Sequence, residues 1–341
     1  MKNSPPTIAV CIPAYGRPDE FALLLQSIVL QTVLPDEVIV CEDGSEERLQ
    51  LKELFNTFAK NLPKDSKCHI RFIENPMNMG YDGNLRTLIA HANSDYIFFI
   101  GNDDYILADG IANSLAFLVQ HPVLAASRSF ARFNFDPHKP IGYSRLGRQD
   151  LVHNKNSVSA GMMLRIGGFF GGLIFNREWA QSMATARYDG TLYYQIYLLL
   201  HASTRGSIGY ISIPTVAARA GNAPLFGSAS AEKGSFVPGR YTVQARGKMW
   251  ESILQITADC EQQTGQPMLE SMRQELAGRM SFHVFEMFAG RPTSELKALR
   301  QELERLGLFN HRIAKTCYLL NRSCGRHARG AYTFARWLLQ R

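Results

Sequence analysis

The sequence predicts an α/β fold with a mainly parallel sheet flanked by helices, followed by a helical C-terminal region. From Thr7 to about Ala126, short apolar runs alternate with longer amphipathic ones, which is typical of βαβ units. Beyond Arg240 the apolar spacing is helical, with breaks near Gly265, Gly290, Gly307 and Gly325. The length of 341 residues and the 45% hydrophobic content predict a sizeable core and room for two domains.

The apolar runs of the first part predict five strands, at residues 8–12, 37–42, 69–73, 96–100 and near 124–129. The amphipathic segments between them predict four helices, at about 19–31, 46–60, 82–92 and 108–120. A strand followed by a helix and a parallel strand forms a right-handed crossover, so these strands are expected to pair side by side.

The later part is less regular. Residues 131–156 form a polar segment, which is either a loop region or an acceptor-side insertion. The remaining patterns predict a turn entering a strand at 167–175, a helix at 190–203, a strand at 209–217, and a linker or mobile lid at 219–239. We therefore expect a first domain at 1–239, with a donor half (7–130) and an acceptor half (131–239), and a helical region at 240–341.

The positive charge lies at the C-terminal end. The net charge is +7, but residues 291–341 alone carry 11 Lys and Arg against three Glu, so the rest of the chain is nearly neutral. This distribution predicts no nucleic-acid partner. No run approaches the ~18 apolar residues of a membrane span, and the N-terminus has no signal-peptide pattern, so we expect a cytoplasmic protein.

Polar or Gly-rich turns follow the predicted strands, at residues 13–16, 42–45, 75–80 and 101–104. The ligand crevice of an open α/β sheet lies at the carboxyl ends of its strands, so these turns are expected to converge. The most specific of them places Asp103 and Asp104 directly after a buried strand. Two carboxylates there suit a hard divalent cation shared with a diphosphate, although they would also serve as caps of the next helix.

The turns after the first two strands are weaker signals. Tyr15 offers an aromatic face for a base or sugar, or it packs on the sheet edge. Asp43 is placed to accept a hydrogen bond from a pyrimidine N–H or a ribose hydroxyl, but Asp-Gly is also a common turn.

Taken together, four segments closely resemble the nucleotide-sugar domain of family 2 glycosyltransferases, which have the GT-A fold. They are Val10-Cys11-Ile12-Pro13-Ala14-Tyr15, Glu42-Asp43-Gly44-Ser45, Asn78-Met79-Gly80 and Asn102-Asp103-Asp104. The later half is similar to the bacterial polysaccharide branch of this family, including abequosyltransferase-like O-antigen enzymes. Asn102 stands where a first aspartate is usual, and Arg86 is offset by one position from the family's arginine.

The resemblance implies a nucleoside-diphosphate sugar donor of the UDP, dTDP, CDP or GDP type and a divalent cation, Mn²⁺ or Mg²⁺. It implies that Asp104 holds the metal and that Asp103 holds the ribose or sugar. The other nucleotide-sugar ligands that it implies are Pro13, Ala14, Tyr15, Arg17, Asp43, Asp82, Arg86 and Arg219.

Inverting transfer needs a carboxylate that removes the acceptor hydroxyl proton. Asp189, at the head of a helical stretch, falls where the family's base-bearing segment is expected, and Glu178 and Glu232 are the reserves. Asp189 could equally be a carboxylate favoured by a helix N-terminus. Arg219 would pair with the diphosphate, or it is simply an exposed arginine at a strand end.

Residues 308–341 are predicted to attach to an anionic membrane surface. From Arg312 to Arg341 there are seven Lys and Arg and no acidic residue, interleaved with aromatic and leucine side chains such as Trp337. This mixture is typical of amphipathic helices in a membrane interface, although a packed C-terminal helix with a basic outer face would show it too. Attachment would place the protein on the inner face of the cell membrane.

The leading hypothesis is therefore an inverting glycosyltransferase that moves one sugar to a lipid-linked saccharide in bacterial surface-polysaccharide synthesis. One alternative is a nucleotidyltransferase of related fold, although only Arg17 represents the basic loop which that chemistry uses. Another is an inactive basic protein that binds membrane or nucleic acid. The sequence lacks the G-x-x-x-x-G-K-[ST] and G-x-S-x-G motifs, which argues against P-loop NTPases and serine hydrolases.

Overall fold

The computed structural model describes residues 4–339, with side chains up to residue 336. The chain divides into two compact units. The first unit holds the chain up to Val158 together with Ile166–Arg240, and the second holds Ser159–Arg165 and the chain from Tyr241 onward.

The first unit is built on one sheet, which has ten strands within the described residues. The strands are β1 (Ile8–Ala14), β2 (Glu37–Glu42), β3 (His69–Glu74), β4 (Tyr96–Phe99), β5 (Tyr105–Ile106), β6 (Ala125–Phe133), β7 (Gly142–Ser144), β8 (Leu151–His153), β9 (Ile174–Asn176) and β10 (Ile208–Arg219). The helices connected to them are α1 (Pro18–Val29), α2 (Arg48–Asn61), α3 (Gly80–His91), α4 (Gly110–Gln120), α6 (Arg177–Ser182) and α7 (Tyr194–Arg205). Helix α5 (Ala160–Gly167) belongs to the second unit up to Arg165 and to the first unit from Ile166.

The strand order β3-β2-β1-β4-β9-β6-β10-β5 places the first strand inside the sheet. The pairings of β1 with β2, β2 with β3, and β1 with β4 are parallel, whereas β9 runs antiparallel to β4 and β6. The order of the strands reverses between β1 and β4, and this is the point where open α/β sheets form a ligand crevice. Strands β1, β2 and β4 are buried almost throughout, so the crevice edge rests on the core.

The fold class predicted from the sequence is confirmed, and the first four strands begin at the predicted residues. The differences lie where pairing, rather than local pattern, decides the structure. Strand β6 continues to Phe133 because β10 runs beside it as far as Arg219. The polar segment 131–156 contains β7 and β8, and strand β5 is too short to give a periodic signal. The predicted turn entering a strand at 167–175 leads into β9, which begins at Ile174.

The second unit is helical. Its helices are α8 (Val243–Thr264), α9 (Leu269–Glu275), α10 (Ser281–Met287), α11 (Thr293–Arg305), α12 (Arg312–Cys324) and α13 (Ala328–Leu339), with a π-helical stretch at Leu276–Met280 between α9 and α10. Helix α8 begins where the Thr242 hydroxyl accepts a hydrogen bond from the Ala245 amide, and it ends at Gly265, whose φ of 68° favours glycine. Trp250, Phe285 and Phe288 are fully buried in this unit.

The C-terminal helices α12 and α13 pack with one face and expose the other. Tyr318 and Tyr332 are buried, whereas Ile313, Leu319 and Phe334 are exposed. The tail's side chains beyond residue 336, including Trp337, lie outside the described residues. Within the described part of the chain, no helix has the length and apolarity needed to cross a bilayer.

Glu37, at the start of β2, links this strand to the segment before β4 and to Arg71 of β3, and its contribution to stability is testable. Its carboxylate accepts hydrogen bonds from the amides of Asn93 (2.9 Å) and Ser94 (3.0 Å) and pairs with Arg71. Burial alone would raise the pKa of Glu37, but these amide bonds and the arginine charge outweigh it and lower the pKa below its usual value.

Glu37→Gln should lower the free energy of unfolding at pH 7 by about 2 kcal/mol. The carbonyl oxygen of glutamine can keep both amide bonds, which end on the same Glu37 oxygen, but its NH₂ group then faces the Arg71 guanidinium. A depressed carboxyl pKa stabilises the fold above the unfolded pKa, so the difference should shrink as the pH falls below about 4.5. Urea unfolding at pH 7 and pH 3.5 checks this. Glu178→Gln, whose side chain is 78% exposed, is the control and should change little. Equal losses in both variants would contradict the assignment.

Candidate functional site

The candidate site lies at the edge of the sheet where β1, β2, β4 and β10 end. Three hydrogen bonds link neighbouring turns there: from the Asp43 amide to the Ala14 carbonyl (3.0 Å), from the Asn102 side chain to the Gly16 carbonyl (2.8 Å), and from the Arg219 amide to Asp104 (3.1 Å). These turns therefore converge as predicted, through one backbone hydrogen bond and two that involve side chains.

The turn after β1 directs Arg17 across the site. Pro13 and Tyr15 are partly exposed at the edge, whereas Ala14 is fully buried. Gly16 and Arg17 both have positive φ (61°), which is uncommon for a residue with a Cβ. From this position the Arg17 guanidinium pairs with Asp103 and donates to the Ala223 carbonyl.

Asp43, after β2, is buried and held in a fixed orientation. Its Oδ1 accepts hydrogen bonds from the Asn75 side chain (2.7 Å) and the Met79 amide (2.9 Å). Burial raises the pKa of Asp43 to about 6, although these bonds act in the opposite direction. The preceding Glu42 shapes the turn by accepting from the amides of Gly44 and Ser45. Asp43 is therefore oriented before any ligand arrives.

The adjacent carboxylates Asp103 and Asp104 differ in their surroundings. Asp103 is partly exposed, and its Oδ2 accepts from Arg17 and from the Asn222 amide group (2.8 Å). Asp104 is buried, and its Oδ1 accepts from the Arg219 backbone amide. Burial raises the pKa of Asp104 well above its usual value, and the negative charge of Asp103 adds to this shift.

The other oxygens of the two carboxylates fit a divalent cation. A Cβ on Gly101 would lie 3.2 Å from Asp103 Oδ1 and 3.1 Å from Asp104 Oδ2, so both oxygens face one space that glycine leaves open. A Cβ on Gly171 would lie 2.8 Å from the same Asp104 oxygen. The described residues contain no cluster of three or more His, Cys, Asp or Glu that could hold a metal, so two protein oxygens would need ligand oxygens to complete the shell.

Arg219, at the end of β10, holds the Asp103–Asp104 turn. Its guanidinium donates to the backbone carbonyls of Asp103 (3.2 Å) and Asn134 (3.1 Å) and lies over the Phe133 ring. Since these acceptors are neutral, the arginine charge is not paired with a carboxylate by these bonds. Arg219 therefore braces the turn and brings a positive charge to this edge of the sheet.

Arg86 and Asp189 form an ion pair. Arg86 Nε donates to Asp189 Oδ1 (2.9 Å), and Nη2 donates to Oδ2 (2.5 Å), so the guanidinium contacts both carboxylate oxygens. Both side chains remain partly exposed, at 24% and 20%. In this structure the Arg86 guanidinium is therefore occupied by Asp189, and the donor contact that the resemblance implies for it stays a prediction.

Asp82 has no exposed surface, so its geometry does not support the ligand contact that the sequence suggested. Its Oδ1 accepts from the Tyr194 amide (3.0 Å) and its Oδ2 from the Leu192 amide (2.8 Å), which fixes the segment before α7. Helix α7 consequently begins at Tyr194, four residues later than its pattern predicted.

Glu232, which the sequence offered as a reserve base, instead supports the site. It is buried, and its carboxylate accepts from the amides of Tyr81 (2.8 Å) and Gly227 (2.7 Å). Sequence reasoning assigned no role to three further supporting residues. Asn75 and Asn222 orient the two aspartates described above. Arg128 is buried in β6 with an unpartnered Nε, and its positive charge acts on Asp104. An arginine inside the predicted strand near 124–129 was the one signal available for it.

Comparison with known proteins finds similarity to glycosyltransferases. The model of the family described as glycosyl transferase family 2 matches residues 9–174. The chain is 28% identical over 229 residues to abequosyltransferase RfbV of Salmonella typhimurium, a match that covers 63% of this chain and 67% of that protein. It is 19% identical over 155 residues to the UDP-Glc:alpha-D-GlcNAc-diphosphoundecaprenol beta-1,3-glucosyltransferase WfgD of Escherichia coli, covering 46% of this chain and 56% of that one.

Solved structures show the same fold at low sequence identity. TarS 1–349 of S. aureus in complex with UDP-GlcNAc has a TM-score of 0.58 at 14% identity, covering 96% of this chain and 92% of that one. The mannosyltransferase PcManGT of Pyrobaculum calidifontis in complex with GDP-Man and Mn²⁺ has a TM-score of 0.53 at 16% identity, covering 96% and 87%. These likenesses confirm the GT-A architecture expected from the sequence.

The buried Asp82 predicts a pH dependence of stability. Burial raises its pKa to about 7, so between about pH 4 and pH 7 the folded chain binds a proton that the unfolded chain has lost. This contribution makes stability fall as the pH rises through that range. Asp82→Asn should remove this contribution. The free energy of unfolding of the variant, relative to that of wild type, should therefore rise by up to about 1.4 kcal/mol for each unit of increasing pH in that range.

Urea midpoints at pH 5, 6, 7 and 8 measure the effect, with the exposed Asp65→Asn as the control that keeps the wild-type profile. A difference between Asp82→Asn and wild type that stays constant with pH would show that Asp82 is ionised throughout.

Proposed function

We propose that this chain, whose residues 9–174 match the model of glycosyl transferase family 2, is a glycosyltransferase of that family. It moves a single sugar from a nucleoside-diphosphate donor to a lipid-linked saccharide, with inversion at the transferred carbon. The observation that carries the donor half of this proposal is the pair Asp103 and Asp104, whose second oxygens face one space over Gly101. Its setting is the synthesis of a bacterial surface polysaccharide, as the relatives named above suggest.

The nucleoside lies at the ends of β1 and β2. Pro13, Ala14 and Tyr15 form its wall, with Ala14 acting through its backbone because its side chain is buried. Asp43, fixed by Asn75 and Met79, keeps an acceptor oxygen oriented toward a base N–H or a ribose hydroxyl. Asp103 holds the ribose or sugar, and Arg17 and Arg219 supply positive charge for the diphosphate.

A divalent cation, Mn²⁺ or Mg²⁺, would be held by Asp104 together with Asp103 and the diphosphate oxygens. When bound, it supplies positive charge that stabilises the diphosphate leaving group. Burial and the charge of Asp103 raise the pKa of Asp104 although Arg128 and Arg17 act in the opposite direction, and a bound cation would favour the ionised carboxylate. One structural neighbour is described as a complex with GDP-Man and Mn²⁺.

Asp189 is the residue that we propose as the base. It removes the proton of the attacking acceptor hydroxyl at a carboxylate oxygen while the diphosphate leaves from the opposite face of the sugar. The contact with both Nε and Nη2 of Arg86 fixes the direction of this carboxylate, and its partial exposure leaves it open to an acceptor. Glu178 lies on α6 with a side chain that is 78% exposed, and Glu232 is buried, so neither is better placed.

The exposed face of α12 and α13 suits an enzyme whose acceptor is carried by a membrane lipid. One relative's name describes a diphosphoundecaprenol-linked acceptor. Ile313, Leu319 and Phe334 are exposed there, accompanied by the exposed basic side chains Arg312, Lys315, Arg322, Arg326 and Arg329. Arg336 pairs with Glu286 and contributes less charge than the sequence suggested. We propose that this face binds anionic lipid and keeps the enzyme on the inner surface of the cell membrane.

The donor site is tested by calorimetry with UDP, GDP, CDP and dTDP, each with Mn²⁺ and with chelator. We expect one of them to bind with Mn²⁺ and much more weakly without it. Asp104→Asn should lower both the affinity and the turnover by roughly a hundredfold, the scale expected for losing a charged interaction. Glu53→Gln, an exposed residue of α2, is the control. Equal binding in chelator would contradict the metal assignment.

The base is tested by comparing the two halves of the ion pair. Asp189→Asn should lower kcat by roughly a hundredfold or more while leaving donor affinity near wild type. Arg86→Met removes the partner but keeps the carboxylate, so it should retain more activity and shift the pH profile of kcat. If both variants lose the same activity at every pH, Asp189 is structural.

Membrane attachment is tested by co-sedimentation with vesicles of phosphatidylglycerol and phosphatidylcholine. Because Tyr318 and Tyr332 are buried, substitutions of exposed residues are preferable to deletion of the tail. Replacing Arg312, Lys315 and Arg322 with Gln should weaken binding roughly a hundredfold, at about 1 kcal/mol for each charge. Replacing Ile313, Leu319 and Phe334 with Ser should also weaken it. Leu49→Ser, an exposed apolar residue of α2, is the control, and equal sedimentation of all variants would contradict attachment.

A further inference from the structure

Arg17 occupies an unusual position beside the two carboxylates. It precedes α1 with φ 61° and ψ 56°, a left-handed conformation that is unfavourable for a residue with a Cβ. Its guanidinium pairs with Asp103 Oδ2 and also donates to the Ala223 carbonyl. The backbone therefore holds an arginine at the point where a ligand cation and a donor diphosphate are expected.

Three arginines lie beside the carboxylate pair. The guanidinium groups of Arg128 and Arg219 donate to backbone carbonyls, whereas that of Arg17 pairs with the Asp103 carboxylate. Arg128 is 3% exposed in β6, and its guanidinium donates to the Phe169 carbonyl (2.8 Å), so it is fixed. Arg17 lies in a turn, and its side chain is 19% exposed. A compensating charge that is buried stays in place, whereas one at the surface is free to exchange its partner.

We propose that Arg17 is an exchangeable counter-ion: it neutralises Asp103 in the donor-free protein and transfers to the diphosphate when donor and divalent cation bind. This inference rests on the proposed function and deepens it. A guanidinium and a divalent cation repel each other on one carboxylate, whereas a diphosphate offers the guanidinium a bidentate partner. Arg17 thus hinders binding of the cation alone and favours binding of the cation together with a diphosphate.

The consequence is an opposite effect on two ligands. Without Arg17, a cation meets no competing charge at Asp103, so it binds more tightly. A cation–diphosphate complex loses the arginine that would pair with its phosphate oxygens, so it binds more weakly. A residue that only braced the turn would change both affinities in the same direction.

The test uses Mn²⁺ alone, measured by electron paramagnetic resonance of the free ion, and preformed Mn²⁺–pyrophosphate, measured by calorimetry. In Arg17→Met we expect Mn²⁺ alone to bind roughly five- to tenfold more tightly, the scale of one Coulomb interaction near the surface. Mn²⁺–pyrophosphate should bind roughly tenfold more weakly. Thermal melting confirms that each variant is folded.

Two further variants distinguish the effect of the Arg17 charge on Mn²⁺ binding from the effect of losing its hydrogen bond. Arg17→Lys keeps the charge, so its affinity for Mn²⁺ alone should stay near wild type. Asn222→Ala removes a neutral donor from the same Asp103 oxygen and should change the affinity for Mn²⁺ far less than Arg17→Met does. If Arg17→Lys binds Mn²⁺ as tightly as Arg17→Met, charge is not the cause and the inference is overturned.

The remaining outcomes distinguish this inference from the proposed function. If wild type binds both probes and Arg17→Met changes neither, or weakens both, the exchange is wrong while the donor site stands. If wild type binds neither Mn²⁺ nor Mn²⁺–pyrophosphate, the metal-assisted donor site itself is wrong, and the inference falls with it.

Discussion

Two adjacent carboxylates follow a strand that is buried along its whole length, and the candidate site is arranged around the need to stabilise their charge. Asp103 receives Arg17 from the turn after β1 and Asn222 from the segment after β10. Asp104 receives the Arg219 amide and the nearby charge of Arg128. Four separate parts of the chain are brought to one point because buried like charges are unfavourable unless they are hydrogen-bonded or compensated.

Helix α3 connects the donor side of the site with the proposed base. Its N-terminus supplies the Met79 amide to Asp43 and the Tyr81 amide to Glu232. Farther along the same helix, Asp82 fixes the segment before α7 and Arg86 pairs with Asp189. Because one helix and its first turn carry all four contacts, Asp43 and the proposed base Asp189 are positioned relative to each other.

A single glycine makes this arrangement compact. Gly80 has a φ of 76°, and a Cβ there would lie 2.6 Å from a Glu232 oxygen. No side chain fits between the end of the helix and the carboxylate that caps it. The Asn-x-Gly turn, which the sequence offered only as a family resemblance, therefore has a steric reason in this chain.

The predictable part of the site was its location, because strand periodicity shows where buried strands end and parallel strands end at one edge. The fold class followed from the same periodicity, and so did Asp43, Asp103 and Asp104 as candidates at strand ends. What could not be predicted was which of these groups are paired. Arg86 and Asp189 are 103 residues apart in sequence, and Arg17 and Asp103 are 86 apart, so no local pattern indicates either contact.

The sequence by itself determined the βα alternation, the helical C-terminal region and the polar turns, because each of these features depends on residues that are close together in the sequence. Only the tertiary structure decided that Asp82 is buried, that Glu232 caps a helix and that β9 enters the sheet antiparallel. Those outcomes depend on burial and on pairing between segments that are distant in sequence. The pKa of a carboxylate likewise depends on the groups that packing places around it.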